Sequence, residues 1–500
     1  MEKIIKDAFF EKIEALGLAL TFDDVRLRSG HSEVMPDDVN LESKFSKNIS
    51  LKIPFVSADM DTVTESDMAI GMALLGGIGV IHKNLSPEEQ AEEVIRVKHY
   101  LNGFISKPIC VQGNELVRDV LARKAKNKYN FCTFPVVDVG GRLIGILSKT
   151  DFDFCLDTSL SVSKIMSAKV ITAPEGTSLK EAYKIMTAKK KKVLPLLDEK
   201  EKVAGLYVFK DVQRVMMKNP AGCNIDKNEQ LIVAAAVGVN DFERVDLLVK
   251  NKVNALVIST AHADTKSVIE TLKEIKRNYK IDVIAGNVSE PESALRLAKA
   301  GVDGIKVGQG PGSICTTRII AGIGSPQVSA VYKCVRAVRG LGVPICADGG
   351  LRSSGDIVIA LGAGAHSVMM GNMLAGTKEA PGEIFFKDGR QWKIYRGMGS
   401  IGAMESGRGS RERYRQADTG KKDLISEGVE GLKPYKGELE QVIFQYLGGL
   451  KRGMGYVGAA DISEFREKAD FIRITSAGKT ESHPHDIIIT KEPPNYSLES

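Results

Sequence analysis

The chain has 500 residues, 43% hydrophobic and 26% charged, and its 69 basic and 63 acidic side chains leave a formal charge of only +6, an ordinary soluble composition that does not argue for nucleic acid as a partner. It is too long for one core of typical size, so a large domain with an appended unit is expected. The longest apolar run, residues 69–81, is glycine-interrupted and shorter than the ~20 residues of a membrane span, so no membrane partner is expected.

In chain order, short apolar segments ending in small or polar residues alternate with stretches of helical length. Ile53–Ala58 and Gly77–His82 come first; after a gap of about 150 residues follow Leu231–Val237, Ala255–Ser259, Asp282–Gly286, Gly304–Gly308, Val343–Asp348 and His366–Gly371. Continuous apolar strands between helices predict a parallel sheet covered on both faces. Asp241–Lys252, apolar at 242, 245, 248 and 249, and Glu292–Ala300, apolar at 294, 295, 297 and 298, repeat at helical spacing. An open doubly wound sheet would use the same elements, but eight sequential units are the number that closes an α/β barrel of the (β/α)8 (TIM) type.

A gap that long cannot be one crossover, so an inserted domain is expected between the second and third strands. Within it, Phe134–Phe152 matches Leu194–Val212 at a constant offset of 60, aligning Pro135 with Pro195, Asp138 with Asp198, Gly145 with Gly205 and Asp151 with Asp211. This is an internal duplication of a strand, turn, strand, helix unit. It resembles a CBS-domain pair, which implies an adenine or guanine nucleotide between the halves, its ribose held by Ser148 and Asp151. The second copy keeps Asp211 but has Val208 where the hydroxyl belongs. Lys189–Lys192 suit the dipole of a helix end exposed to solvent, with a polyphosphate clamp as the sharper alternative.

Seven cysteines, at positions 110, 132, 155, 223, 315, 334 and 346, include no C-x-x-C pair. Their odd number favours free thiols, no structural zinc and a reducing, cytoplasmic setting, and the first residues carry no signal-peptide pattern. One of them is placed for chemistry. The loop Gly308–Arg318 sets Cys315 among glycines at 308, 310 and 312, which let backbone N–H groups close on an anion and can bias a thiol toward thiolate. A flexible loop with a structural cysteine is the bland alternative.

Loops at the C-terminal ends of barrel strands converge on one site. Asp348 ends the seventh apolar segment, so a carboxylate suited to a ribose diol stands beside the amides of Gly349 and Gly350. Gly371 and Asn372 follow the eighth, and phosphate-binding loops after strands seven and eight recur in such barrels. A nucleoside monophosphate fits both features. Beyond the last strand, Tyr395–Met404 and then a polar stretch, Glu405–Gly437, with Arg408, Arg411, Arg413 and Arg415, cannot build a core alone, and read either as a disordered surface segment or as a mobile lid over the site.

The Cys315 loop, with Leu20–Val25, Met60–Glu65, Gly76–Asn84, Asp348–Gly350, Tyr395–Ser400, Arg413–Tyr414, Glu427–Gly431 and Glu481–Asp486, resembles the segments of the IMP dehydrogenase and GMP reductase family in their order. With the CBS pair the resemblance covers nearly the whole chain. It implies a catalytic barrel in two parts, 1–98 and 219–500, a CBS insert at 99–218 with repeats at about 104–157 and 163–216, and a flap over about 381–437. It also implies NAD-dependent oxidation of IMP to XMP, the committed step of guanine nucleotide synthesis. Cys315 would attack C2 of the purine, hydride would pass to NAD, and the covalent thioimidate would be hydrolysed with Arg413, Thr317 and Tyr414 activating water.

By position, the same resemblance implies that Asp348 holds the ribose, that Ser313, Gly350, Gly371, Asn372 and Tyr395 hold the phosphate, and that Met398, Gly399 and Glu427 meet the base. Ser259, Asn287 and Gly308 would line the NAD site. A potassium ion is implied on the carbonyls of Gly310, Gly312 and Cys315, completed by Glu481, Ser482 and His483 of a neighbouring subunit, and therefore a homotetramer or octamer.

Four positions depart from the family pattern. Ser259 stands where an Asp usually contacts the nicotinamide ribose, so weaker NAD binding is expected; Asn372 replaces a Ser, Ser353 an aromatic, and Asp59 is an unexpected carboxylate near the base pocket. The GMP reductase branch usually has Ser at position 399 and lacks the Arg413–Tyr414 pair. A relative whose barrel only scaffolds a nucleotide-sensing insert is the other alternative, and turnover with IMP and NAD separates it.

Overall fold

The eight apolar segments form a closed parallel barrel in the computed structural model, which describes residues 5–102, 104–105, 108–127, 129, 131–217 and 222–496. The strands are β1 (Phe55–Ser57), β2 (Ile78–Ile81), β3 (Ala234–Val237), β4 (Ala255–Ser259), β5 (Asp282–Val288), β6 (Gly304–Val307), β7 (Ile345–Asp348) and β8 (Ser367–Met370). Each pairs with the next in sequence, and β8 closes on β1. Every residue of seven strands is buried, and only Asp348 of β7 is partly open. Burial on both faces is why these strands read as unbroken apolar runs rather than alternating ones.

Helices α1 (Ser66–Leu74), α2 (Pro87–His99), α3 (Phe242–Lys250), α4 (Lys266–Asn278), α5 (Pro291–Lys299), α6 (Gln327–Ala337) and α7 (Ser354–Gly362) follow β1 to β7 in turn. Small residues let them approach closely. A Cβ at Gly79 of β2 would lie 2.5 Å from the Ala69 Cα of α1, leaving no room for any side chain there.

The stretch 395–437 departs from the disordered reading, and residues 381–437 as a whole are ordered. They carry an antiparallel sheet of β9 (Phe385–Lys387), β10 (Arg390–Arg396) and β11 (Glu430–Pro434), and two short helices, α8 (Ile401–Ser406) and α9 (Arg408–Arg413). The order comes from docking on the barrel, which composition does not reveal. The Asn84 amide, just past β2, donates to Asp61 (2.9 Å) and to the Ala403 carbonyl (3.1 Å) and accepts from the Ser410 amide (3.1 Å). Arg396 pairs with Asp61 at 2.7 Å. The long helix α10 (Leu439–Val457) then packs on α7, where Gly449 and Gly453 face Ser354 and Val358 too closely for a side chain.

By contact, the chain divides into two units, Met1–Lys98 with Gly222–Ser500, and His99–Ala221. The second contains the duplicated motif as two sheets. Val111–Gln112, Phe134–Val137 and Leu143–Leu147 form one; Ala173–Pro174, Val193–Leu197, Val203–Val208 and Phe104–Ile105 form the other. Each half buries its own apolar cluster, one around Phe134 and Val136, the other around Leu194, Leu196 and Tyr207. Among the described residues no helix is long and apolar enough to cross a membrane.

Gly79→Val should overpack the β2–α1 contact at a cost of about 1–3 kcal/mol. We expect the unfolding transition of the barrel to move to lower denaturant while that of the insert stays in place, followed by circular dichroism with tryptophan fluorescence.

Candidate active site

The loop after β6 owes its shape to glycine. Gly308 and Gly310 have φ of 149° and 74°, and a side chain on Gly308 would collide with the Asp348 carbonyl. Those values suit glycine and strain other residues. The flap clamps the loop from the other side, the Val429 amide donating to Ile314 O and the Thr316 amide to Glu427 O, both at 2.9 Å. Cys315 is thereby held half-buried, with Sγ 3.2 Å from the Thr317 hydroxyl, which donates to Glu427 Oε2 at 2.7 Å. Cys334 and Cys346 are different in kind: burial pushes both thiols up, Cys346 to about 12, and leaves them as packing residues.

Cys315 faces a cleft at the C-terminal end of the barrel strands. Asp348, Gly350, Gly371, Asn372, Tyr395 and Met398 line it, as do Ser313, Thr317, Arg413, Tyr414 and Glu427, so the structure brings these expected residues together. Asp348 is oriented by Asn287 Nδ2 (2.8 Å) and Lys306 Nζ (3.1 Å) on one carboxylate oxygen. Gly349 and Gly350, at φ of 89° and 81°, turn the chain under the cleft. At Gly371 a Cβ would lie 3.0 Å from both the Met60 sulfur and the Tyr395 hydroxyl, so glycine keeps this approach open. Burial pushes the Tyr395 phenol up, which keeps it a hydrogen-bond donor.

Gly399 lies beneath the Tyr414 ring, with a Cβ built there only 2.7 Å from ring carbon Cζ. Any side chain at 399 must displace Tyr414. Burial also pushes the Tyr414 phenol up to about 12, leaving it protonated near neutrality.

The charged floor of the site was the part least legible in the sequence. Lys306, inside β6, is fully buried, with room for its stem made by Gly286 of β5. Its ammonium donates to Asp59 Oδ1 (2.9 Å) and Asp348 Oδ2 (3.1 Å). Arg413 of α9 reaches the other oxygen of Asp59 at 2.8 Å, and the same guanidinium nitrogen donates to Ser259 Oγ at 2.7 Å. Burial opposes the Arg413 charge, but the Asp59 carboxylate outweighs it and raises its pKa. Asp59 is driven the other way: burial disfavours its charge, and Lys306 and Arg413 overcome that and hold its pKa well below the usual carboxylate range. Asp59 thus faces the flap arginine. The one sequence signal for Lys306 was a lysine in an otherwise apolar strand, which long side chains often explain by reaching water.

Asn287 and Gly308 meet at the cleft wall, Asn287 Nδ2 donating to Gly308 O at 2.6 Å. Asn287 Oδ1 is buried without a partner, an acceptor still to be satisfied. Gly310 and Gly312 line the cleft beside Cys315, and Gly312 O accepts the Cys315 amide at 3.1 Å. Glu481, Ser482 and His483 are not among the cleft residues of their own chain; they end the helix Ser476–Glu481, which is tied by Lys479 to Asp23 at 2.8 Å. In the insert, Ser148 caps the helix Lys149–Asp153 and donates to Asp151 Oδ2 at 2.7 Å, while Asp211 lies in the first turn of Phe209–Met217.

A (β/α)8 barrel that gathers a half-buried cysteine, a carboxylate and several glycines around one cleft at the C-terminal end of its strands has the layout of an enzyme. The chain belongs to the IMP dehydrogenase / GMP reductase family, whose domain description matches residues 19–485. It is 50% identical over 484 residues to inosine-5'-monophosphate dehydrogenase of Halalkalibacterium halodurans, covering 96% of this chain and 98% of that one. It is also 50% identical over 483 residues to the enzyme of that name from Aquifex aeolicus (95% and 97% covered). Among solved structures, a cysteine variant of GMP reductase from Trypanosoma brucei in complex with guanosine 5'-monophosphate superposes with a TM-score of 0.82 at 38% identity, covering 95% of this chain and all of that one.

Lys306→Met should leave Asp59 and Asp348 sharing too little positive charge in a buried site, destabilising the barrel by about 3–5 kcal/mol. Urea denaturation followed by circular dichroism checks this.

Proposed function

We propose that the chain oxidises IMP to XMP with NAD, the committed step of guanine nucleotide synthesis, through a covalent adduct on Cys315. The observation that carries this reading is the meeting in one cleft of Cys315, its Thr317–Glu427 pair and Arg413. The IMP phosphate would sit on Ser313, Gly350, Gly371, Asn372 and Tyr395, and the ribose diol on Asp348. Met398, Gly399 and Glu427 would face the base and hold C2 over the Cys315 sulfur.

Cys315 Sγ forms a bond to C2 as the thiol proton is lost, and the C2–H bond breaks with its electron pair leaving as hydride. NAD supplies the hydride acceptor, and Asn287, Gly308 and Ser259 are the residues that would hold it, the unpartnered Asn287 Oδ1 being the feature that fits. Water then adds to C2 and the C–S bond breaks, giving XMP and the free thiol. With Asp59 holding Arg413 as a cation, we assign the guanidinium to orienting that water, and Thr317 to passing its proton to Glu427. Gly399 supports oxidation over GMP reduction, because it makes the space that Tyr414 fills beside Arg413.

A potassium ion would take the neutral carbonyl oxygens of Gly310, Gly312 and Cys315, a donor set suited to a hard cation rather than to zinc. Glu481, Ser482 and His483 of the partner subunit would complete it, so the active assembly is proposed as a homotetramer, with octamers open to it. We read residues 99–218 as a CBS pair taking an adenine or guanine nucleotide at Ser148, Asp151 and Asp211, and the seven free cysteines as suiting the cytoplasm.

With IMP, NAD and potassium, wild type should produce NADH, and Cys315→Ala, folded by circular dichroism, should produce none; a flat wild-type trace would discard the reading. Gly399→Ser should displace Tyr414, leaving the first burst of NADH intact while adduct hydrolysis slows by roughly tenfold to a hundredfold. Stopped-flow absorbance followed by acid quench, which counts enzyme trapped as adduct, separates the two steps.

A further inference from the structure

Four side chains at the barrel mouth form one chain of opposite charges: Asp348, Lys306, Asp59 and Arg413. With Arg413 in place, two carboxylates face two cations and the set is neutral. Asp59 lies between Ala58 and Met60, both of which line the cleft, yet it is itself almost inaccessible, because Lys306 takes one oxygen and Arg413 the other.

Of the four, only Arg413 is carried by the flap. Asp348, Lys306 and Asp59 belong to barrel strands or their ends, whereas Arg413 closes α9 and reaches in with a backbone bond, its carbonyl accepting the Ala261 amide at 3.1 Å. Ala261, Thr260 and Asn287 line the same wall of the cleft. In the proposed reaction the dinucleotide reaches the carbon above Cys315 along this wall, in the place that Arg413 fills here. Withdrawing it removes one positive charge and leaves Asp59 with one oxygen open beside Ser259. The remaining set, Asp348, Lys306 and Asp59, then carries a net charge of −1 in surroundings that screen it poorly.

An excess negative charge distinguishes two forms of one molecule. The nicotinamide ring of NAD⁺ is a cation, and hydride transfer makes it neutral. We propose that Asp59 is a counter-ion used twice in each cycle: with the flap withdrawn it favours the cationic ring of NAD⁺ over the neutral ring of NADH, and once the cofactor is reduced it recaptures and positions Arg413 for hydrolysis. Oxidation of the substrate thereby removes the charge that kept Arg413 out. The inference rests on the proposed oxidation of IMP with NAD. It also gives Ser259 a place: its hydroxyl shares the Arg413 nitrogen held by Asp59, so a carboxylate at either position would neutralise the same cation.

The test is equilibrium binding to the full-length chain carrying Cys315→Ala and saturated with IMP, using NAD⁺ and NADH separately in a calorimeter. Adding Asp59→Asn, which keeps the shape and removes the charge, should weaken NAD⁺ about tenfold and NADH less than about twofold, the loss of one charge-assisted contact. Adding Ser259→Asp as well should restore the preference for NAD⁺. Arg413→Ala in the same parent should shift the other way and tighten NAD⁺, since a competitor is gone. Trypsin should cut the flap after Arg411 and Arg415 faster in the Asp59→Asn protein without cofactor. Equal weakening of NAD⁺ and NADH, or no change in either, overturns the proposal. If Asp59→Asn gives no cooperative melt, the single Ser259→Asp protein decides: a second carboxylate at the same place should raise the preference for NAD⁺ over NADH, and unchanged discrimination overturns the proposal. Failure of the underlying reading looks different: wild type would yield no NADH from IMP and NAD at all.

Discussion

A buried charge must be neutralised close by, and that requirement organises the mouth of this barrel. Lys306 has no exposure to water, so its ammonium is tolerable only because Asp59 and Asp348 lie within 3.1 Å of it. The pairing fixes two carboxylates, Asp348, which lines the cleft, and Asp59, which meets the flap. Two loops far apart in sequence are thus held in register by a lysine that touches no substrate in the proposed reaction. Gly286 contributes by absence, since a side chain there would occupy the space of the Lys306 stem.

The flap answers the same constraint from outside. Its residues include many charges and glycines and too little apolar surface for a core. It gains order by satisfying polar groups already fixed on the barrel: Asn84 and Asp61 bind α8, the start of α9 and Arg396, and the Cys315 loop exchanges backbone bonds with residues 427–429. Such docking exchanges one set of polar partners for another at small net gain, which suits a segment that leaves in the proposed cycle. Tyr414 over Gly399 is the exception, a ring-sized contact with no tolerance for a side chain.

Legibility from sequence followed the range of the forces involved. The strands could be read because burial on both faces leaves an unbroken apolar run, visible within five or six residues. Cys315, Asp348 and Gly371 could be read because each stands beside glycines whose conformational freedom has a local purpose. The role of Ser259 could not: a missing carboxylate was visible, but not that Asp59, 200 positions earlier, meets the same arginine. Lys306 passed as one polar residue in an apolar strand. For Ser148 and Asp151 the structure displays a local use as a helix cap, which the motif alone did not distinguish from ligand binding.

The sequence by itself determined the number and order of the barrel strands, the duplication within residues 134–212, the cysteine loop, and membership of a family whose segments run the length of the chain. These depend on periodicity, glycine content and short spacings, all local properties of a chain. Only the tertiary structure decided which charges share the barrel mouth, why residues 381–437 are ordered, and that Asp59 and Ser259 act on one guanidinium. Electrostatic partners are chosen by distance in space, and the closing of the barrel brings β1, β4, β6 and the flap within hydrogen-bonding reach of one another.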